Sequence, residues 1–162
     1  MAPTFRVVVG IDGSEDSDRA LRWAIEEARQ RGGTIQAVMA YDWIGTEEAR
    51  LAGLGPDGER QRTEDVLAET VSRCRTGPLD GAIATQAVRG NAAHVLAEIA
   101  ADADLLVVGS HGRNHLYHAV LGSVAESCVH RAECPIVVIP SPHRTHVRLP
   151  RELASARERT TG

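Results

Sequence analysis

Between Leu105 and Val124 the chain reads L-L-V-V-G-S-H-G-R-N-H-L-Y-H-A-V-L-G-S-V. An apolar strand, Leu105 to Val108, breaks at Gly109. A second glycine follows at Gly112, and a third stands after nine intervening residues at Gly122, directly before Ser123. Beyond it, Val124, Ala125, Cys128 and Val129 fall at helical spacing. Glycine tolerates positive φ and lets backbone approach another molecule with no Cβ in the way. A strand, a glycine loop and a helix start together aim backbone N–H groups and the positive helix end at an anion. The stretch is therefore a candidate phosphate site, although turn-forming glycines and a helix junction would give the same spacing without any ligand.

The rest of the chain repeats the strand-then-helix order. Thr4 to Ile11 reads as a buried strand ending in the turn Asp12-Gly13-Ser14. Ser14 is placed to cap a helix with Ala20, Leu21, Ala24, Ile25 and Ala28 on one face, stopping near Gly32-Gly33. A strand over Thr34 to Tyr41 follows, then a flexible excursion from Asp42 to Arg62 rich in glycine, with Trp43 near its start. A helix with Val66, Leu67, Thr70, Val71 and Cys74 inward comes next, then a strand from Ile83 to Arg89. Asn91 caps a short helix with Val95, Leu96, Ile99 and Ala100 inward, and Asp104 to Val108 forms the fourth strand. After the glycine loop, a helix ends near Arg131 and Pro135 to Ile139 makes the fifth strand. This alternation predicts an α/β three-layer sandwich, an open parallel sheet with helices on both faces, Rossmann-like in plan. One domain over residues 1–140 is expected, with a polar, flexible tail over residues 141–162. From His143 on, that tail carries five arginines against Glu152 and Glu158, and a solvated tail is the simpler reading than a basic arm.

Composition removes several function classes. No lysine occurs, all 18 basic residues being arginine, so the G-K-[ST] phosphate loop of nucleotide hydrolases cannot be built. A receiver domain, which uses a late lysine, falls for the same reason. The first turn reads G-I-D-G-S rather than the dinucleotide fingerprint, and no G-x-S-x-G elbow supports Ser-His-Asp chemistry. Aromatics are only 3% and the net charge is −4, so neither stacking platforms nor a positive field favours nucleic acid. No apolar run is long enough to span a membrane and the first residues lack a signal-peptide core, which leads to an expected cytoplasmic location. Cys74 and Cys128 fall on apolar helix faces and read as reduced, buried thiols, a simpler reading of the cysteines than a redox role for Cys134 beside Pro135. His111, His115 and His118 form H-x3-H-x2-H, yet no carboxylate or cysteine close in sequence completes a zinc set. Surface or phosphate-facing histidines are the simpler explanation.

In open α/β sheets ligands sit beyond the carboxyl ends of the strands where strand order reverses. If the first and fourth strands are neighbours there, Asp12, Gly13, Gly109, Gly112, Arg113, Gly122 and Ser123 border one crevice. Arg113 can pair with phosphate oxygens. Ser123 can donate to a phosphate or cap its own helix, with Glu126 completing the S-x-x-E pattern. Asp12 can contact ribose, hold a phosphate-bound metal, or simply suit a helix N-terminus.

The segments V-V-V-G-I-D-G-S, V-V-G-S-H-G-R, L-G-S-V and C-P-I-V-V-I-P together resemble the universal stress protein family, in its nucleotide-binding branch. The family signature G-x2-G-x9-G-[ST] falls on Gly109, Gly112, Gly122 and Ser123 without a change of spacing. The resemblance implies a five-stranded parallel sheet of order 3-2-1-4-5 that binds ATP, with Mg²⁺, as a stress-response sensor or regulator with little or no hydrolysis. It implies that the glycine loop, Ser123 and the adjoining Val124 hold phosphates, that Gly10 to Asp12 lies against ribose and adenine, and that Ala40 contacts adenine. It also implies a homodimer paired along Ile136 to Ile139. A cyclic-AMP-binding protein and a nucleotide-independent dimeric interaction module are the alternatives. The segment Asn114 to His118 is bulkier and more polar than the glycine-containing stretch common in relatives.

Overall fold

A computed structural model describes residues 4–42, 45, 47, 51, 55–77, 82–113 and 121–142 of the chain. Among the described residues the order of elements is β1 (Arg6–Gly10), α1 (Glu15–Arg31), β2 (Thr34–Tyr41), α2 (Pro56–Cys74), β3 (Ile83–Arg89), α3 (Ala92–Ala100), β4 (Leu105–Gly109), α4 (Ser123–Arg131) and β5 (Ile136–Ile139). The five strands form one sheet in the order β3-β2-β1-β4-β5, and each adjacent pair is parallel. Fold class and strand order agree with the sequence reading.

The valine and leucine runs explain the centre of this sheet. Successive side chains on a strand point to opposite faces, so a strand covered on both sides must be apolar throughout. Val7, Val8 and Val9 of β1 and Leu105 to Val108 of β4 are all buried. Val7, Val9, Leu105 and Val107 pack with Leu21, Ala24, Ile25, Leu67 and Val71 from α1 and α2. Val8, Leu106 and Val108 pack on the other side with Val95, Leu96, Ala125 and Cys128 from α3 and α4. Parallel crossovers are right-handed. Winding outward from β1 through β2 to β3 therefore places α1 and α2 on one face. Winding through β4 to β5 places α3 and α4 on the other. The reversal falls between β1 and β4, which are paired Val7 to Leu105 and Val9 to Val107.

Local signals set most boundaries. Ser14 caps α1 by accepting from the Ser17 N–H, and Gly32 ends that helix in the left-handed region at φ 63°. The Asn91 side chain accepts from the N–H groups of Ala93 and His94 to start α3. Across α1 and α2, Arg73 makes a two-pronged contact with the nearly buried Asp18 carboxylate at 2.8 Å.

Two expectations need correction, and one helix is more exposed than its spacing alone records. The excursion from Asp42 to Arg62 is shorter than expected, because α2 already begins at Pro56. Gly55 is extended at its N-cap, Pro56 occupies the first turn, and Asp57 and Glu59 follow. Proline lacks only an N–H that the first turn leaves unbonded in any case, and acids suit the positive helix end, so the apparent breaker is a starter. Trp43 lies outside the described residues. On α4 only Ala125 and Cys128 are buried, while Val124 and Val129 are 39% and 50% exposed; nine residues on an outer helix present too narrow a stripe to cover all four. Finally, the cap of α4 is Gly122, and no side chain caps that helix. Ser123 lies inside the first turn and does not form the expected capping box.

No described helix is long and apolar enough to cross a membrane. The tail from His143 onward lies outside the described residues. Leu106 is fully buried between α3 and α4, so Leu106→Ala should lose about 2–5 kcal/mol, read as a lower denaturation midpoint in urea with an unchanged slope. All three cysteines are free thiols. Burial pushes the Cys128 thiol up to about 11 and raises Cys74 and Cys134 as well. A raised thiol holds little reactive thiolate near pH 8. Labelling by a disulfide reagent should therefore be slow in the native protein, fastest at the half-buried Cys134, and rapid at all three after denaturation.

Candidate functional site

Because the connections leave β1 and β4 toward opposite faces, a crevice opens above their carboxyl ends. Its volume is about 600 Å³, within the range that accommodates small ligands. Gly10, Asp12, Ala40, Gly109, Gly112, Arg113, Gly122, Ser123 and Val124, the nine positions singled out in the sequence, all line it. Asn114, His115 and His118 fall outside the described residues.

The crevice has two chemically distinct ends. Toward β2 and α3 the wall is Val38, Ala40, Ala92, Leu96 and Val108, all but Ala92 belonging to or packed against the core under α3 and α4. Toward α4 the wall is backbone-rich: Gly109 to Arg113 on one side and Gly122 to Val124 on the other. The first turn of α4 has no side-chain cap, and the first bond inside it runs from the Glu126 N–H to the Gly122 carbonyl at 2.9 Å. N–H groups at a helix start lack partners within the helix and carry its positive end. An apolar slot that leads to such donors suits a flat apolar ring joined to an anion.

Asp12 joins the two loops. Its Oδ1 accepts from the Ser14 N–H at 2.9 Å, and its Oδ2 accepts from the Arg113 N–H at 3.1 Å. Arg113 Nε in turn donates to the Asp12 carbonyl. The Arg113 side chain, read in the sequence as a phosphate partner, is thus folded onto the neighbouring loop here. A Cβ added to Gly112 would lie 2.6 Å from Asp12 Oδ2, so a side chain at this position would have to displace the carboxylate. Gly109 has a different reason: a Cβ there would lie 2.9 Å from the Asp16 Cβ and 3.0 Å from the Asp16 carbonyl carbon. Its missing side chain lets α1 sit against the end of β4. Gly122 closes the loop from the other side, its N–H donating to the Ser110 carbonyl at 2.7 Å.

Among the described residues no group of three or more His, Cys, Asp or Glu is placed to hold a metal ion. Asp12 is the acid on this wall, and its two oxygens each hold one N–H while retaining further lone pairs. That arrangement fits a cation held mainly by a ligand's phosphates, in the manner of Mg²⁺, and not an all-protein cage.

Sequence reasoning missed the apolar wall and part of the loop: Val38, Ala92, Leu96, Ser110 and Leu121 also line the crevice, while His111, read as surface or phosphate-facing, lines it too. Val38 is the register partner of Gly10 in β2, and the β1–β2 pairing would have pointed to it. Leu96 looked like ordinary core, and nothing in its spacing marks the core's edge.

Residues 4–140 match the universal stress protein family. A universal stress protein of Mycobacterium tuberculosis is 36% identical over 132 residues, covering 82% of this chain and 44% of that protein. The chain thus spans about half the length of the curated relatives it matches. Among solved structures, the universal stress protein UspA from Lactobacillus plantarum has the same fold, with a TM-score of 0.70 and 23% identity over 86% of this chain and 99% of that one. A universal stress protein in complex with cAMP is 29% identical with a TM-score of 0.62, covering 83% of this chain and 96% of that one. The matched span runs from before β1 to just past β5, and the chain belongs to the universal stress protein family.

Proposed function

We propose that the crevice binds an adenine nucleotide, ATP with Mg²⁺, and that the protein works as a nucleotide-dependent sensor or regulator in a stress response. The observation that carries this reading is the division of one crevice into an apolar slot and a wall of backbone donors. Adenine fits against Val38, Ala40 and Leu96, and ribose beside Gly10 to Asp12. Phosphates fit against the Gly109 to Arg113 loop, the N–H groups of Ser123 and Val124, and the Ser123 hydroxyl as a further donor. Asp12 would supply an oxygen to Mg²⁺ brought in by the phosphates. The cAMP complex of a 29% identical protein supports an adenine nucleotide as the ligand class.

That complex also favours a second reading, cyclic AMP as the ligand. The adenine slot would be shared, and only the phosphate end would differ. A nucleotide-independent interaction module is the third. Hydrolysis is expected to be slow or absent. The chain has no lysine, and the carboxylate nearest the phosphate end is already engaged by two backbone N–H groups as a clamp between the loops.

Within the same reading, residues 1–140 act as the nucleotide-binding domain and residues 141–162 as a polar tail, in the cytoplasm, with neither membrane nor nucleic acid as partner. The proposed homodimer pairs two copies along Ile136 to Ile139. This strand is at the edge of the sheet, and its Ile136, Val137 and Val138 are only half-buried; an apolar edge of that kind is a template for a second strand.

Calorimetric titration with ATP, ADP, AMP and cyclic AMP, with and without Mg²⁺, tests the reading. ATP binding that strengthens with Mg²⁺ is expected. Ser123→Ala should weaken it by about 3–10-fold, the worth of one hydrogen bond. Gly112→Val should abolish it, since its side chain would displace the Asp12 carboxylate. Preference for cyclic AMP would move the conclusion to the second reading, and no binding of any nucleotide would overturn both. Sedimentation of wild type against Val137→Arg tests the dimer: a dimer that becomes a folded monomer is expected, and a monomeric wild type would refute it.

A further inference from the structure

The register of β1 with β4 runs as far as Val9 and Val107. Past that pair the strands part, and the crevice opens between the turn after β1 and the loop after β4. Two hydrogen bonds join these segments again, and both run between the same two residues, 101 positions apart in the chain. The Arg113 N–H donates to Asp12 Oδ2 at 3.1 Å. In the other direction, the Arg113 side chain donates from Nε to the Asp12 carbonyl. Each residue thus gives one side-chain group and one backbone group. The Asp12 end is itself fixed. Its Oδ1 accepts from the Ser14 N–H at 2.9 Å, which makes an Asx turn. Gly13 follows at φ 78°, a conformation that L side chains rarely adopt. Arg113 therefore attaches the second loop to a turn that is already set.

We propose that Arg113 is a positioning residue of the crevice. Through Nε its side chain straps the β4 loop to the β1 turn and holds the two rims at the spacing a ligand meets; its charge is not what the ligand reads. The inference rests on the nucleotide reading above and gives Arg113 a part in it other than the phosphate contact expected from its charge. Two loops that keep their separation before a ligand arrives lose less freedom on binding. That gain reaches any ligand lying against both loops, phosphorylated or not, because in that reading ribose lies beside Gly10 to Asp12. A guanidinium paired with phosphate would act by charge instead, and on phosphorylated ligands alone. The two roles also ask for different atoms. Glutamine carries a neutral donor, Nε2, as many bonds from Cβ as the Nε of arginine. Lysine keeps the charge and has a methylene at that place.

Binding of ATP and of adenosine to wild type and to variants with an intact melting transition tests the strap. Arg113→Ala should weaken both ligands alike, by about three- to tenfold, the worth of one hydrogen bond. Arg113→Gln should recover most of that loss, and Arg113→Lys little of it. A second readout needs no ligand. In nitrogen NMR of the native protein, the Arg113 Nε–H should exchange with water more slowly than the same group in urea-unfolded protein. The opposite ranking, with Arg113→Lys binding ATP as wild type does and Arg113→Gln no better than Arg113→Ala, would overturn the strap in favour of a charge contact. A loss in Arg113→Ala confined to ATP would do the same. Unchanged binding in Arg113→Ala, or Nε–H exchange as fast as in the unfolded chain, overturns the strap and leaves the nucleotide reading standing. If wild type binds neither ATP nor adenosine, the nucleotide reading and this inference fall together.

Discussion

The pairing of β1 with β4 is the constraint on which the other features depend. Both strands are buried on both faces, so their side chains must be apolar throughout and their backbone groups must be satisfied in the ladder. Right-handed crossovers then force the chain to wind outward in opposite directions from this pair. The gap left between the diverging connections is the crevice. No residue has to be spent on opening it, because it follows from strand order. What the sequence must supply is a rim that keeps the gap open and chemically useful.

The rim is built from contacts within the protein. Gly112 is small because the Asp12 carboxylate needs its space, and Gly109 is small because α1 does. A glycine signature usually taken to mean close approach to a ligand here also records close approach of the chain to itself. The two explanations are compatible. A loop whose N–H groups face a ligand must be held from behind, and Asp12, Ser110 and the turn at Gly122 hold it. A loop that is ordered before binding loses less freedom on binding.

Much of this was legible in the residues. The bounds of β2 and β3 and the caps Ser14 and Asn91 follow from alternation, helical periodicity and side chains that compete for backbone donors. Strand order came from the family resemblance; periodicity is silent on which strands are neighbours. The start of α2 was misplaced because glycine and proline around position 56 signal a loop and a helix start equally well, and only the backbone of Gly55 separates the two. The exposure of Val124 and Val129 depends on what lies opposite α4, which no local pattern records. Arg113 was read for its charge, and the structure shows its reach being used on Asp12 instead. The apolar wall was invisible for a related reason: Val38 and Leu96 belong to the core by every local measure.

That last point bears on how such a chain can change over time. The sheet divides the interior into two cores, one under α1 and α2 and one under α3 and α4. The second core ends in the wall of the crevice, since Val38, Leu96, Val108 and Ala125 belong to both. Apart from Ile11, which also lines the crevice, substitutions of similar volume in the first core need only preserve packing. The same exchanges in the second core also reshape whatever the crevice recognises. Sequence drift is therefore doubly constrained on one side of the sheet, and there a repacking mutation is also a change of specificity.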